Sequence, residues 1–539
     1  MGRLTREPAL GLTLLALVSL MGAFIIYPQL RVALVPGVGG YVDFLREQTW
    51  VKPLKNSIQI TLLSTTTAVL LGFVYAYAMV YSRMPWKPFF RLVGILPLLS
   101  PPFIVAASYI LLFGPRGIIS YEVFGKSPLI LGRNGLWGVQ TIAFFPFAYQ
   151  LIADVLANSD PRLEQAARNL GANTWTVFRT VTLPLARPGI ASAILLTAIY
   201  ILEDFGNPLL IAGRYTVLPT QAYGLISGFG DFAGASAVSM ILLVLALTLY
   251  VVRLRLEGRR SFVTVTGRAA SIPRPPVPRS VTWACFVACL LLAGLILLVY
   301  GTLVVGALVK SFPADMTFTG RNFAYLRTRS DTLRNTFVYG GIAAICCAGF
   351  AVLLAFLVQR LRWPGRRVVD FVAIAPAAVP GIFFGIGYAL TFNQPWLDWI
   401  NRGALITISM IFWNIPVGYQ ACVAGLQQID RSIDEAATGL GATTLGGFRD
   451  ILFPMLRGAT LTAFVTAFVR AVTTLSVVIF LFTPGTTVAT ITIFQLVNDF
   501  NWGGASAFAV SLITMAVIVL SIVWFVSGRR ASIRRFAGG

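Results

Sequence analysis

The sequence predicts an all-α polytopic membrane protein. It reads as about 12 transmembrane helices in two parallel six-helix repeats, with both termini cytoplasmic (N-in/C-in). Three observations lead there. Of 539 residues, 57% are hydrophobic and 12% charged, about half the charge share of a soluble domain, and mean hydropathy is +0.79. Apolar stretches long enough to span a bilayer recur twelve times, and the second half of the chain repeats the first in register. Twelve spans of ~20 residues use roughly 240 residues, leaving chain for loops but not for a large soluble domain. A net charge of +22 would suggest nucleic acid in a soluble protein. Here it reports topology, because cationic residues collect in cytoplasmic loops; the lipid bilayer is the expected surround, and no nucleic acid.

In the first half the apolar stretches cover about 8–28, 57–81, 92–114, 136–157, 189–211 and 233–253. In the second they cover about 282–309, 336–360, 369–392, 404–426, 459–482 and 505–527. The first follows a short basic start (Arg3, Arg6) without a small-x-small cleavage site, so it reads as an uncleaved helix. Pro97, Pro101 and Pro102 are expected to kink the third span, and Pro376 and Pro380 the ninth. Residues 254–281, rich in Arg and Pro, form a cytoplasmic linker between a first half, 1–253, and a second, 282–539. With the N-terminus inside, 27 Lys and Arg fall in cytoplasmic segments and 14 outside, with Arg470 inside a span. Cys285, Cys289, Cys346, Cys347 and Cys422 all lie in apolar runs and read as small core residues. Histidine is absent; no zinc-ligand cluster or His-based triad can be built, and no catalytic or metal residue is expected.

The repeat fixes its own register. At an offset of 279, Asn56, Arg83, Pro85, Pro97, Pro101 and Tyr109 meet Asn335, Arg362, Pro364, Pro376, Pro380 and Tyr388. At an offset of 270, residues 146–187 meet 416–457 without a gap, identical at 15 of 42 positions. Six helices return the chain to its starting side, so the copies run parallel, as in transporters built around an axis normal to the membrane.

The most informative segment is a loop found twice, at 160–189 and 430–459. From Glu164 it reads EQAARNLGANTWTVFRTVTLPLARPG, and from Asp434 DEAATGLGATTLGGFRDILFPMLRGA. Acidic residues open a short helix. Gly171 or Gly441 ends it with positive φ. A second short segment carries Phe178-Arg179 or Phe448-Arg449, and Pro184 or Pro454 precedes the next span. Small Ala166-Ala167 and Ala436-Ala437 let another backbone approach, and Phe178 and Phe448 are expected to anchor in a partner's pocket.

These loops resemble the EAA loops of ATP-binding-cassette importer permeases, with the pattern E-A-A-x3-G-x9-I-x-L-P. The second copy reads Glu435, Ala436, Ala437, Gly441, Ile451, Phe453, Pro454; the first reads Gln165, Ala166, Ala167, Gly171, Val181, Leu183, Pro184. Gln165 replaces the acidic residue beside Glu164, and Phe453 replaces Leu. The resemblance covers both halves and marks the chain as similar to a fused, double-length permease of the bacterial inner membrane. It implies that each loop docks as a coupling helix on a separate nucleotide-binding subunit. It therefore implies two ATPase copies, with ATP and Mg held there, no cofactor on this chain, and alternating access in place of catalysis. The one near-match to a phosphate-binding loop is Gly125-Lys126-Ser127, where Ser120 replaces the first glycine.

Ionisable residues inside spans are costly and face the bundle interior. Glu203 and Asp204, followed by Gly206, Asn207 and Pro208, lie in the fifth span and Arg470 in the eleventh. They read either as an electrostatic gate that a cation passes or as a structural ion pair; Gly206 and Pro208 suggest a broken helix. The stretch from Glu203 to Tyr223, with DFGNP and LPTQAY, looks most like ferric-iron importer permeases, which implies delivery of iron by a periplasmic binding protein. Loops near 31–55, 115–135, 212–232, 310–335 and 483–504 are its expected docking surface. Alternatives are the same machine importing thiamine or another small solute, or an ion-gradient-driven twelve-helix transporter. The latter explains the duplication but not the paired loops. A membrane enzyme lacks any recognised nucleophile arrangement.

Overall fold

The computed structural model describes residues 7–114, 117–123, 125, 131–258, 277–394, 397 and 401–526. Most of the linker, with Lys126 and Ser127 of the near-match, lies outside these residues. Among those described, ten helices are long and apolar enough to cross a membrane, and twelve if two sharply bent pairs each count as one span. All twelve overlap the apolar stretches of the sequence, although the fifth, Thr174–Leu202, and the eleventh, from Thr444 to Thr473, begin about 15 residues earlier than their stretches at 189–211 and 459–482.

The proline-rich third and ninth spans do more than kink. Helix Lys87–Ile95 passes into a 3-10 turn, Leu96–Leu99, and restarts as Phe103–Phe113. Its counterpart, Arg366–Ala378 followed by Gly381–Phe392, bends by 110°. Proline removes a backbone donor and clashes with the preceding turn, so two or three in succession break the helix outright.

The chain folds into two compact units. One comprises Thr49–Thr220 and Val244–Asn322; the other comprises Met1–Gln48, Gln221–Leu243 and Phe323–Ser532. The first span of each sequence half belongs to the unit built mainly from the other half. In the former unit the second span (Val51–Tyr81) packs on the fourth (Arg133–Ala157), where Gly72 is required: a Cβ there would lie 2.8 Å from the backbone N of Tyr149. The seventh span (Arg279–Leu308) joins this unit through a hydrogen bond between the Tyr300 and Ser100 hydroxyls, 2.5 Å. In the latter unit the eighth span (Ser330–Arg360) packs with the tenth (Arg402–Gln427) and eleventh (Arg457–Thr473). The first span (Pro8–Leu34) joins it by accepting at Phe24 O from the Tyr388 hydroxyl, 2.9 Å, and by stacking Phe24 on Phe412. Buried hydroxyls and close small-residue contacts are the usual adhesive of helices in lipid, where apolar burial gives no preference for a neighbour.

The duplication is visible in the bonds. Asn56 Nδ2 donates to Thr216 O in one unit, and its counterpart Asn335 Nδ2 donates to Gly485 O and Thr487 O in the other. Ser57 Oγ accepts from Leu218 N–H, and Thr336 Oγ1 from Ala489 N–H. A short hairpin, Val309–Ser311 with Asp315–Phe318, follows the seventh span.

Candidate coupling loops and intramembrane polar residues

Both loops are built by one local pattern. Asp160 accepts from Arg162 N–H (2.9 Å) to open helix Pro161–Asn169. Asp430 accepts from Ser432 N–H (2.8 Å) to open helix Ser432–Gly439. That bond holds the Asp430 carboxyl below its ordinary pKa. The helices end at Gly171 and Gly441, with φ of +88° and +86°. Gly171 N–H donates to Arg168 O and Ala172 N–H to Ala167 O; Gly441 and Ala442 repeat this to Thr438 O and Ala437 O. This is the left-handed closure that satisfies the last carbonyls of a helix. Asn173 and Thr443 then cap the second short helices, Thr174–Val177 and Thr444–Gly447. One π turn follows in each, Phe178–Thr182 and Phe448–Leu452.

The two loops differ in how they continue. The first runs without a sharp break from Thr174 to Leu202, whereas Thr444–Met455 meets Arg457–Thr473 at 73°. Pro184 lies in the first turn of its helix, Leu183–Leu202; Pro454 lies in the short Phe453–Met455 segment just before the bend.

The placement of side chains corrects one expectation. Phe448 is buried and packs tilted against Phe356 at 4.5 Å between ring centres. Phe178 is half-buried against Phe73 and Tyr77, at 6.1 and 5.7 Å. These rings anchor each loop to its own unit rather than to a partner, because each sits one turn past the cap, on the face turned toward the spans. What the loops do present is Leu170, 89% exposed, and Leu440, 91% exposed, at the same place in the repeat. Trp175 and Leu445 add exposed apolar surface at the next equivalent position, while Arg179, Glu435, Ala436 and Arg449 are exposed around them. Gln165 and Ala167 are half-buried and Ala437 is buried. The leucines carry no motif letter, and only the structure separates their outward face from the inward one.

The inward face carries the acid that opens each short helix. Glu164 is buried and accepts from the Tyr81 hydroxyl at 2.6 Å and from Thr182 Oγ1 at 3.3 Å. Asp434 forms an ion pair with Arg360, 3.3 Å. Neither Tyr81 nor Arg360 was signalled by identity between the repeats, because they differ.

In the fifth span the helix stops at Leu202, and Gly206–Ile211 restarts it. Gly206 is required there, since a Cβ would lie 2.8 Å from Phe103 Cβ. Buried Asp204 bridges the break. Its carboxylate accepts from Gln140 Nε2 (2.9 Å), Asn207 Nδ2 (3.0 Å) and Asn207 N–H (3.3 Å), and Gln140 in turn accepts from Ser64 Oγ (3.0 Å). One buried carboxylate thereby meets the donors on both sides of the break, as buried polar groups require. Asp204 and Asn207 therefore share one local network. Glu203 closes the C-terminal end of the preceding helix through its N–H to Ile199 O, 2.9 Å. Arg470, in the other unit, lies over the Trp413 ring at 4.5 Å, a cation–π contact.

Known proteins are similar to this chain in sequence. The Actinobacillus pleuropneumoniae ferric transport system permease protein FbpB is 32% identical over 539 residues, 96% of this chain and 78% of its own length. The Haemophilus influenzae Fe(3+)-transport system permease protein FbpB 2 is 23% identical over 533 residues, 95% of this chain and 97% of its own. The Escherichia coli molybdenum transport system permease protein ModB is 32% identical over 198 residues, 35% of this chain and 86% of its own. The profile of one permease family matches twice, over residues 68–261 and 347–530, each match enclosing one loop. With that double match over two loop-bearing halves, the chain belongs to the family of binding-protein-dependent transport system inner membrane components, and is a multi-pass inner-membrane permease.

Proposed function

We propose that this chain is the transmembrane permease of an ATP-driven importer for ferric iron, with both termini in the cytoplasm. A periplasmic binding protein delivers the iron, and two copies of a separate ATPase, holding ATP and Mg, dock on loops 160–189 and 430–459. The single observation that carries the reading is the paired geometry of those loops. Each closes on a positive-φ glycine and lifts one nearly fully exposed leucine at the same register position, 170 or 440. An exposed leucine beside small residues suits a groove on a soluble partner, since aliphatic burial drives such docking. ATP-driven motion of two such partners then switches the permease between inward-open and outward-open states. The ferric assignment is supported by relatives named as ferric or Fe(3+) permeases that match 96% and 95% of this chain.

Glu203 and Arg470 are the pathway candidates. The donors around Asp204 and Asn207 support a structural role for that pair at the helix break. The test is reconstitution: the permease, a co-expressed ATPase and an iron-loaded binding protein in proteoliposomes, with ATP inside. The reading expects uptake only when all are present. Uptake of another solute under the same conditions would keep the machine and replace the cargo.

A further inference from the structure

We propose that Glu164 and Asp434 are positioning residues that join each coupling loop to the end of one span, and that they do so by two different chemistries. The inference rests on the coupling-loop reading above and assigns where motion of the loop enters the permease.

The repeat register makes the argument. Glu164 and Asp434 correspond at an offset of 270, and their partners Tyr81 and Arg360 correspond at an offset of 279. Two independent registers therefore converge on one contact. Tyr81 is the last residue of the second span and Arg360 the last of the eighth. In each unit a carboxylate on the loop's first helix thus meets the terminal side chain of a long span.

The contacts differ in kind. Glu164, 4% exposed, takes a neutral hydroxyl from Tyr81 and a second from Thr182, in the π turn of its own loop. It thereby ties both arms of the loop to the span. Asp434 takes the guanidinium of Arg360, whose side chain is 7% exposed. The same guanidinium donates from Nη2 to Leu426 O at 3.0 Å and Ile429 O at 2.7 Å, at the end of the tenth span. Arg360 therefore gathers three elements at one point. A further carboxylate holds the second loop: Glu7, directly before the first span, accepts from the Thr444 N–H at 2.9 Å and hydroxyl at 2.7 Å. A buried charge-assisted contact is stiff and directional. Displacement of the loop is transferred to the span through it, whereas the exposed leucines only hold the partner.

The experiment uses the whole permease with its ATPase and binding protein in proteoliposomes, and reads two quantities: ATPase co-purification and uptake per ATP hydrolysed. Tyr81→Phe removes one oxygen and conserves packing. Asp434→Ala and Arg360→Ala break the ion pair. The double variant Arg360→Tyr with Asp434→Glu copies the first loop's chemistry into the second. We expect Tyr81→Phe, Asp434→Ala and Arg360→Ala to retain the ATPase yet lower uptake per ATP at least fivefold, and the copied pair to recover most of it. A merely structural contact would lower yield without changing that ratio. Uptake per ATP within twofold of the parent in Tyr81→Phe would overturn the proposal, as would failure of the copied pair to exceed Asp434→Ala. If the unaltered chain retained no ATPase, the coupling-loop reading would fail first, and the two failures are thereby distinguished.

Discussion

Substitution of Gly171 or Gly441 isolates the backbone from everything else. Both sit at φ near +87° (+88° and +86°), and a Cβ built on either meets nothing within 4 Å. Steric conflict with the rest of the chain therefore contributes nothing, and the intramolecular cost is that of a left-handed L-residue, about 1–2 kcal/mol. Asn tolerates this conformation and should cost a fraction of that, while Val should reach the upper end or beyond. A cost of ~1–2 kcal/mol shifts the ratio of closed to open loop by roughly 5–30-fold. The amides that report it are those of Gly171 and Ala172, bonded at 2.9 and 3.0 Å to Arg168 O and Ala167 O, with Gly441 and Ala442 as the second pair. Hydrogen exchange on the purified permease should show those amides exchanging roughly 5–30-fold faster in Gly171→Val, and near the parent rate in Gly171→Asn. Changing both glycines to Val should also abolish ATPase co-purification. Equal exchange in the Val and Asn variants would refute the reasoning, because it would mean the glycine conformation does not hold the loop.

Other outcomes follow from the same geometry. Asp204→Ala leaves Gln140 Nε2 and both Asn207 donors without their acceptor; at about 1–3 kcal/mol per buried orphan, thermal unfolding in detergent should shift down by several degrees, and an unchanged midpoint would remove the bridging role. Single alanine variants of Glu203 and Arg470 should lower uptake with the ATPase still bound; unchanged uptake removes both from the pathway. Asp430 titrates below the ordinary carboxylate range because Ser432 N–H stabilises its anion. A folded pKa depressed in this way contributes stability at neutral pH that is lost as pH falls through the folded value. Protection of the Ser432 amide, measured against its intrinsic exchange rate at each pH, should therefore fall in acid, and Asp430→Asn, which still accepts but does not titrate, should flatten that profile.

The spans, the repeat and the two loops were legible because each rests on chain-local physics. Twenty apolar residues cross a bilayer whatever surrounds them, and a glycine after a short acidic-headed helix closes it in any context. Proline at 97, 101 and 102 announced a disturbance of the third span, although not a complete restart at Phe103. What lay beyond the sequence was adjacency. A lipid-facing helix is apolar all round, so periodicity does not say which neighbour it takes; hence the first span's association with Phe412 and Tyr388 was unreadable. Tyr81 and Arg360 were hidden for a related reason: the repeat kept the contact and changed its chemistry, so identity between the halves passed over it. The inward face of Phe448 is hidden in the sequence because a single residue's step along a helix, ~100° of rotation, decides between anchor and core.

In the proposed function an external ATPase drives this permease through two matched loops. Uptake into proteoliposomes containing the chain, with and without the ATPase, tests it most directly. The account predicts that iron on its binding protein enters only with the ATPase and ATP present, and that the double Gly171→Val, Gly441→Val variant fails even then. Uptake by the chain alone along an ion gradient would contradict it.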